Sequence, residues 1–261
     1  MKTLLDKRDG IGIITMNCPD NLNAIDVGMS AELLERLQSC DQDDEIKVVV
    51  LRSGAKAFSA GGDLVYSYKK LQAGDDIDFT ELVENVGKLV LEIKKMRKLV
   101  ITQVDGVAAG AGASLAISGD IVLLSDRATL VQAFVNVGLV PDTGGTYLLT
   151  HSLGMAQAMK FMITGEPMKS ADALAFGLAT EVVESKELEA VTEKWANKIA
   201  KGPLKAYENL KRQVYYAAYR DLPMYLENGE KPTQLKVSHS SDFREGVAAF
   251  VEKRKPQFQG K

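Results

Sequence analysis

The sequence predicts an α/β fold with a largely parallel sheet, followed by a purely helical C-terminal region. Short apolar, strand-like runs alternate with amphipathic helical segments through the first two-thirds of the 261 residues. That alternation is the pattern of a parallel sheet covered by helices. The strand spacing is too uneven for a simple doubly wound sheet. From Leu188 onward only helical patterns remain, over 187–201, 203–218, 223–236 and 242–253. The expected division is therefore a core over 1–200 and a helical region over 201–261. A tail of that length with apolar stripes needs a surface to cover, either its own core or a neighbouring subunit.

In order, residues 3–5 and 12–16 read as strands around the turn-forming Asp9-Gly10. A loop follows over 17–23. Asp26 is placed to cap a helix from about 27 to 39, with Met29, Leu33, Leu34 and Leu37 on one face. Residues 41–45 form an acidic turn. The stretch 46–51, apolar except for Lys47, predicts a buried strand. Residues 67–78 are polar and expected to be mobile. Residues 79–96 make a long amphipathic helix, and 99–104 the next buried strand. Strands are expected at 120–124 and 129–131, then short helices at about 143–151, 155–163 and 170–175.

Composition narrows the function classes. The chain is 46% hydrophobic and 26% charged, with a net charge of −3. It can form a sizeable core, and without a basic excess it is a poor nucleic-acid binder. Cys18 and Cys40 lack metal-type spacing and fit a reducing compartment. No apolar run approaches the roughly 20 residues needed to cross a bilayer, and the opening residues do not read as a signal peptide. The expected setting is the cytoplasm, with no membrane partner.

Two glycine-rich strand-to-helix turns carry the chemistry, at Ala60-Gly61-Gly62-Asp63 and at Gly110-Ala111-Gly112. Each can present a backbone N–H to a shared point, as in an oxyanion hole. The alternative is that the small residues merely allow close helix–sheet packing. A dinucleotide site is disfavoured because the third glycine is missing: position 115 is Leu. Asp142, between Pro141 and Thr143-Gly144-Gly145, has two readings. It either caps a helix starting near Thr143 or, held among Phe134, Val137, Leu139 and Val140, titrates near neutral pH as a base. His151 and His239, the two histidines, form no metal-like cluster, and no metal site is expected. Ser114 has no histidine nearby in sequence to activate it. Trp195 and the methionines read as packing residues. The basic clusters Lys94-Lys95, Arg97-Lys98 and Lys253-Arg254-Lys255 read as solvated faces, with a nucleotide phosphate as the alternative partner.

Five motifs in order then resemble the crotonase (enoyl-CoA hydratase/isomerase) superfamily. They are the segment 56–64, the segment 104–120, the segment 138–146, Thr164-Gly165 with 171–177, and Phe243-Arg244-Glu245-Gly246-Val247-Ala248-Ala249-Phe250. The resemblance spans essentially the whole chain. It implies a spiral core of ββα units over 1–200 and a C-terminal region over 201–261 that oligomerises and caps the site, in a homotrimer or hexamer. It implies an acyl-CoA thioester substrate, with CoA part of the substrate and no separate cofactor. The thioester oxygen would be polarised by the N–H groups of Gly62 and Ala111. The two glutamates of the hydratases map to Ser114 and Phe134, neither of which can act as a base.

The carboxylate left is Asp142. In this respect the chain looks similar to the 1,2-epoxyphenylacetyl-CoA isomerases, which also lack both glutamates. The resemblance thus implies an isomerase that moves a double bond, or opens a ring-derived epoxide, through an enolate with Asp142 as proton shuttle. The alternatives are a hydratase of low activity, an enzyme with nucleophilic Asp142 such as a hydrolase or dehalogenase, and a non-catalytic binding protein. By the same resemblance, substrate contacts are expected from Asn23, Ala24, Ala60, Gly61, Asp63 and Leu64. Lys56 would reach a phosphate. Ser114, Phe134, Val137 and Leu139 would lie at the acyl pocket, and Phe250 and Lys253 would close the site.

Overall fold

A computed structural model describes residues 1–75 and 77–261; Asp76, within the polar stretch 67–78, lies outside the described residues. A hairpin opens the chain, with β1 (Thr3–Arg8) antiparallel to β2 (Ile11–Met16). Asp9, at φ 51°, and Gly10, at φ 79°, make its turn. Helix α1 (Val27–Gln42) starts where Asp26 accepts the N–H of Met29 at 2.8 Å, and buries Met29, Leu33 and Leu37. Then come β3 (Val48–Ser53), α2 (Leu64–Gln72), α3 (Thr80–Lys95) and β4 (Leu99–Val104).

The first six residues of the polar stretch 67–78 belong to α2. Asp63 accepts the N–H of Tyr66 at 2.9 Å and caps a helix that the polar composition hides. The chain continues through β5 (Val107–Ala109), α4 (Ala111–Ala116), β6 (Ile121–Ser125) and β7 (Thr129–Val131). Next are α5 (Gly145–Leu153), α6 (Met155–Thr164), β8 (Pro167–Lys169), α7 (Ser170–Ala175) and β9 (Glu181–Val183).

Six strands form the main sheet in the order β1-β2-β3-β4-β6-β9, parallel from β2 onward. A second sheet, β5-β7-β8, stacks the short return strands. Isolated bridges from Ile25 to Gly62 and from Ser59 to Ala108 extend that second layer back toward the start of the chain. Each turn of the chain thus lays one long strand in the first sheet and one short extended piece in the second, which is the crotonase-like spiral. The side chains of the main sheet alternate between two cores, as period-2 geometry requires. Ile11, Ile13, Val48, Val50, Ile101 and Leu123 pack against α8 (Leu188–Ala200). Ile14, Met16, Val49, Leu51, Val100, Val122 and Leu124 face the opposite way, toward α1, α3 and the second layer. Burial on both faces explains the unbroken apolar run of β3.

The remaining chain is helical: α9 (Leu204–Val214), α10 (Leu222–Tyr225), α11 (Lys231–Ser238) and α12 (Ser241–Val251). Two π-helical stretches, Tyr215–Tyr219 and Leu226–Glu230, interrupt it. Such widened turns shift side-chain register and often mark functional sites. Helix α12 packs directly on the single-turn helix Ala133–Val137: a Cβ at Gly246 would lie 2.6 Å from the Val137 backbone, so only glycine fits. No described helix is long and apolar enough to cross a membrane.

Candidate active site

Two loops from successive turns of the spiral meet backbone to backbone. Gly61 has φ +88°, and a Cβ there would stand 2.7 Å from the carbonyl oxygen of Ala109. Gly110 has φ +50° and sits at the cap position just before α4. Both positions lie in the left-handed region that glycine enters at little cost. Buried Ser59 fixes the first loop. Its hydroxyl donates to Asn23 O at 2.8 Å and accepts Gly61 N–H at 3.1 Å, while its own carbonyl accepts Ala109 N–H at 2.9 Å.

The amides that follow these glycines, Gly62 and Ala111, line one pocket, and neither donates to a protein acceptor among the described residues. Ala111 opens its helix, so its N–H has no intrahelical partner. Two free amides in one apolar pocket can hold an oxyanion. Close packing explains Gly112 instead, where a Cβ would lie 2.6 Å from that of Ser59.

Asp142 lines the same pocket and is 7% exposed. It does not cap α5. Gly144, at φ 68°, holds the cap position, and no side chain caps that helix. The Asp142 carboxylate instead accepts Thr143 Oγ1 at 2.8 Å on Oδ1 and Gln234 Nε2 at 3.2 Å on Oδ2. Burial pushes its pKa up to about 6, against the pull of those two hydrogen bonds. Asp63, the other carboxylate on the pocket wall, is engaged in capping α2. Glu230 lies behind the Asp142 turn, where burial and the Asp142 charge push it up to about 8 while Gly144 N–H pulls the other way.

The pocket opens to solvent around a cavity of about 70 Å³. It brings together Ala60, Gly61, Gly62, Asp63, Leu64, Ala111, Phe134, Val137, Leu139 and Asp142 from the expected set. Other expected residues lie outside its lining. Asn23 is buried and braces loops, accepting Cys18 N–H at 2.8 Å and donating to Ser53 Oγ at 2.8 Å. Ala24 is buried beside it. Ser114 is 0% exposed, and its hydroxyl turns back to Gly110 O at 3.5 Å.

Lys56 and Lys253 are exposed, and Phe250 is 59% exposed on α12, which reaches α2 through Tyr68 Oη donating to Glu252 Oε1 at 2.9 Å. Most of the basic clusters are internally engaged: Lys98 Nζ donates to Cys40 O at 2.7 Å, Lys94 Nζ to Gly119 O at 3.3 Å, and Arg254 pairs with Glu245. Among the described residues no cluster of His, Cys, Asp or Glu could hold a metal ion. The structure adds Ile25, Phe79, Leu82, Val86 and Gln234 to the wall. Nothing in the sequence flags Gln234, a single amide in a polar helix.

A family model described as enoyl-CoA hydratase/isomerase matches residues 6–261. The chain is similar to the trans-2-decenoyl-[acyl-carrier-protein] isomerase of Streptococcus mutans, 33% identical over 253 residues covering 97% of this chain and 96% of the relative. It is similar to the 1,2-epoxyphenylacetyl-CoA isomerase of Escherichia coli, 36% identical over 253 residues with the same coverage. Among solved structures, an enoyl-CoA hydratase from Mycobacterium avium subsp. paratuberculosis superposes with a TM-score of 0.90 at 30% identity, covering 99% of each chain. The chain belongs to the enoyl-CoA hydratase/isomerase family.

Proposed function

We propose that this enzyme is an acyl-thioester isomerase that moves a double bond, with Asp142 as a single proton shuttle. The observation that carries the reading is that one buried carboxylate, raised to about 6, shares an apolar pocket with two unpartnered amides. In a 3-enoyl thioester, the Asp142 carboxylate removes a proton from C2, and the electrons pass to the thioester oxygen as a dienolate. The N–H groups of Gly62 and Ala111 stabilise that oxygen. Neutral Asp142 returns the same proton to C4, leaving the double bond between C2 and C3. No water is consumed, so one carboxylate suffices. Phe134 on the pocket wall keeps water away and helps hold the pKa of Asp142 high.

The proposed chemistry calls on no cofactor beyond the thioester carrier. The similarity to isomerases named for a CoA ester and for an acyl-carrier-protein ester supports assaying both carriers. A homotrimer or hexamer in the cytoplasm is the proposed working form. Exposed Leu210, Val214, Tyr216 and Met224 in the C-terminal region support burial against another subunit. The test is conversion of 3-enoyl to 2-enoyl thioesters by wild type and Asp142→Asn. Loss of at least about a hundredfold in kcat is expected for a missing general base. Undiminished turnover by Asp142→Asn overturns the reading.

A further inference from the structure

One helical turn of the C-terminal region grips both ends of the segment that carries Asp142. Gln234, on α11, accepts Val140 N–H through Oε1 at 3.2 Å and donates from Nε2 to Asp142 Oδ2 at 3.2 Å. Glu230, four residues earlier, accepts Gly144 N–H through Oε1 at 3.0 Å. Between these anchors the backbone is unfavourable. Thr143 has φ +57° and is fully buried, and Gly144 has φ +68°. A non-glycine residue in that region costs about 1–2 kcal/mol and persists only where its surroundings hold it.

The Gln234 contact has a direction built into it. A carboxamide has one accepting end and one donating end. Val140 N–H can only donate, so it fixes Oε1 toward itself and leaves Nε2 facing Asp142. The group facing Oδ2 is therefore always a donor and favours the charged carboxylate.

We propose that Gln234 is the positioning residue of the proton shuttle, an amide locked end-for-end by Val140 so that it fixes the plane and the basicity of the Asp142 carboxylate. This rests on Asp142 being the base. The other titratable groups around Asp142 are Glu230 and Tyr225 from the C-terminal region and Asp63 on the pocket wall, while the start of α3 offers apolar Phe79, Leu82 and Val86. None of these hydrogen-bonds the shuttle carboxylate, whose side-chain donors among the described residues are Gln234 and Thr143.

Gln234→Glu separates a tether from a tuning group. Glutamate keeps an acceptor for Val140 N–H, yet presents an acceptor and a charge to Oδ2. The acid limb of the kcat/KM profile should move up by about one pH unit, a roughly tenfold loss near the limb that recovers at higher pH. Gln234→Met, which keeps length without polarity, should move the limb the same way by a smaller amount. KM should change less than kcat in both. A wild-type acid limb in either folded variant overturns the proposal and leaves Gln234 a tether of Val140. Asp142→Asn is assayed beside them: if it retains turnover, the shuttle reading itself has failed, an outcome distinct from an unmoved limb with Asp142→Asn inactive.

Discussion

Glu230 accepts the N–H of Gly144 at 3.0 Å with one carboxylate oxygen, while the other is buried without a hydrogen-bond partner. The neighbouring Tyr225 hydroxyl favours the charged form, against the larger effect of burial. A buried carboxylate with an orphaned oxygen is stable as the neutral acid, which is why burial pushes this group up to about 8.

The consequence for stability has a definite sign. The folded state binds the Glu230 proton more tightly than the unfolded chain, whose carboxyl has the ordinary value of 4.5. Stability from this group is complete below about pH 4.5 and is lost as pH rises through 8. Glu230→Gln keeps an acceptor for Gly144 and removes the titration. Its Tm should fall less than that of wild type between pH 5 and 8 in a thermal melt series. Parallel Tm–pH curves would show that Glu230 is already charged in the folded protein.

Asp142 sets the rate profile by the same logic at a lower pH. The proposed base must be ionised to begin the reaction, and burial pushes it up to about 6. When a 3-enoyl thioester is isomerised, kcat/KM should therefore lose about tenfold per unit below that value and level off above it. A limb near 4 would mean that the pocket is wet and the carboxylate solvated.

Five of the six main-sheet strands and most helix starts were legible in the sequence because local rules decide them, whereas the short edge strand β9 (Glu181–Val183) carries no such local signal. The apolar residues Val48 to Leu51 mark the buried strand β3, which starts two residues later than expected and runs to Ser53, and Asp26 caps α1 through Met29 N–H as its position implies. Asp142 misled the local rule: a proline and two glycines beside it imitate a cap, yet the helix starts from Gly144 and the carboxylate turns into the pocket. Its partner Gln234 lies 92 residues away on a helix whose register depends on the π-helical stretch Leu226–Glu230. No local pattern encodes that widening. Asn23 and Ser114 show another limit, since local motif says nothing of exposure and burial keeps both off the pocket wall.

The glycine contact between the two loops yields a sharper test than removal of a side chain. Gly61→Ala would place a methyl 2.7 Å from Ala109 O at φ +88°. The loop must then move away from Gly110, and the Gly62 amide with it. Loss of one oxyanion donor typically costs 10²–10³ in kcat. A loss in that range, with KM changed far less, is expected in steady-state assays of the variant. An unchanged kcat would remove Gly62 from the site.

Placing glutamate at the two positions where the resemblance to hydratases implies one, 114 and 134, should fail, and differently at each. Ser114 is fully buried, and a Cβ on Gly145 would lie only 2.5 Å from its hydroxyl, so α4 and α5 leave no space for a longer chain. Ser114→Glu buries an unpaired carboxyl against backbone and should destabilise by about 3 kcal/mol or more, read as a large drop in Tm. Phe134 borders the pocket, and its ring approaches Gly110, where a Cβ would stand 3.7 Å from Cζ. Phe134→Glu therefore has room to fold. It brings a second negative charge and water to the Asp142 pocket, which should raise the Asp142 pKa further and lower isomerisation near neutral pH. Without a partner carboxylate at 114 it should not hydrate a 2-enoyl thioester. Hydration appearing in Ser114→Glu at wild-type Tm would mean that the α4–α5 contact is looser than the structure has it.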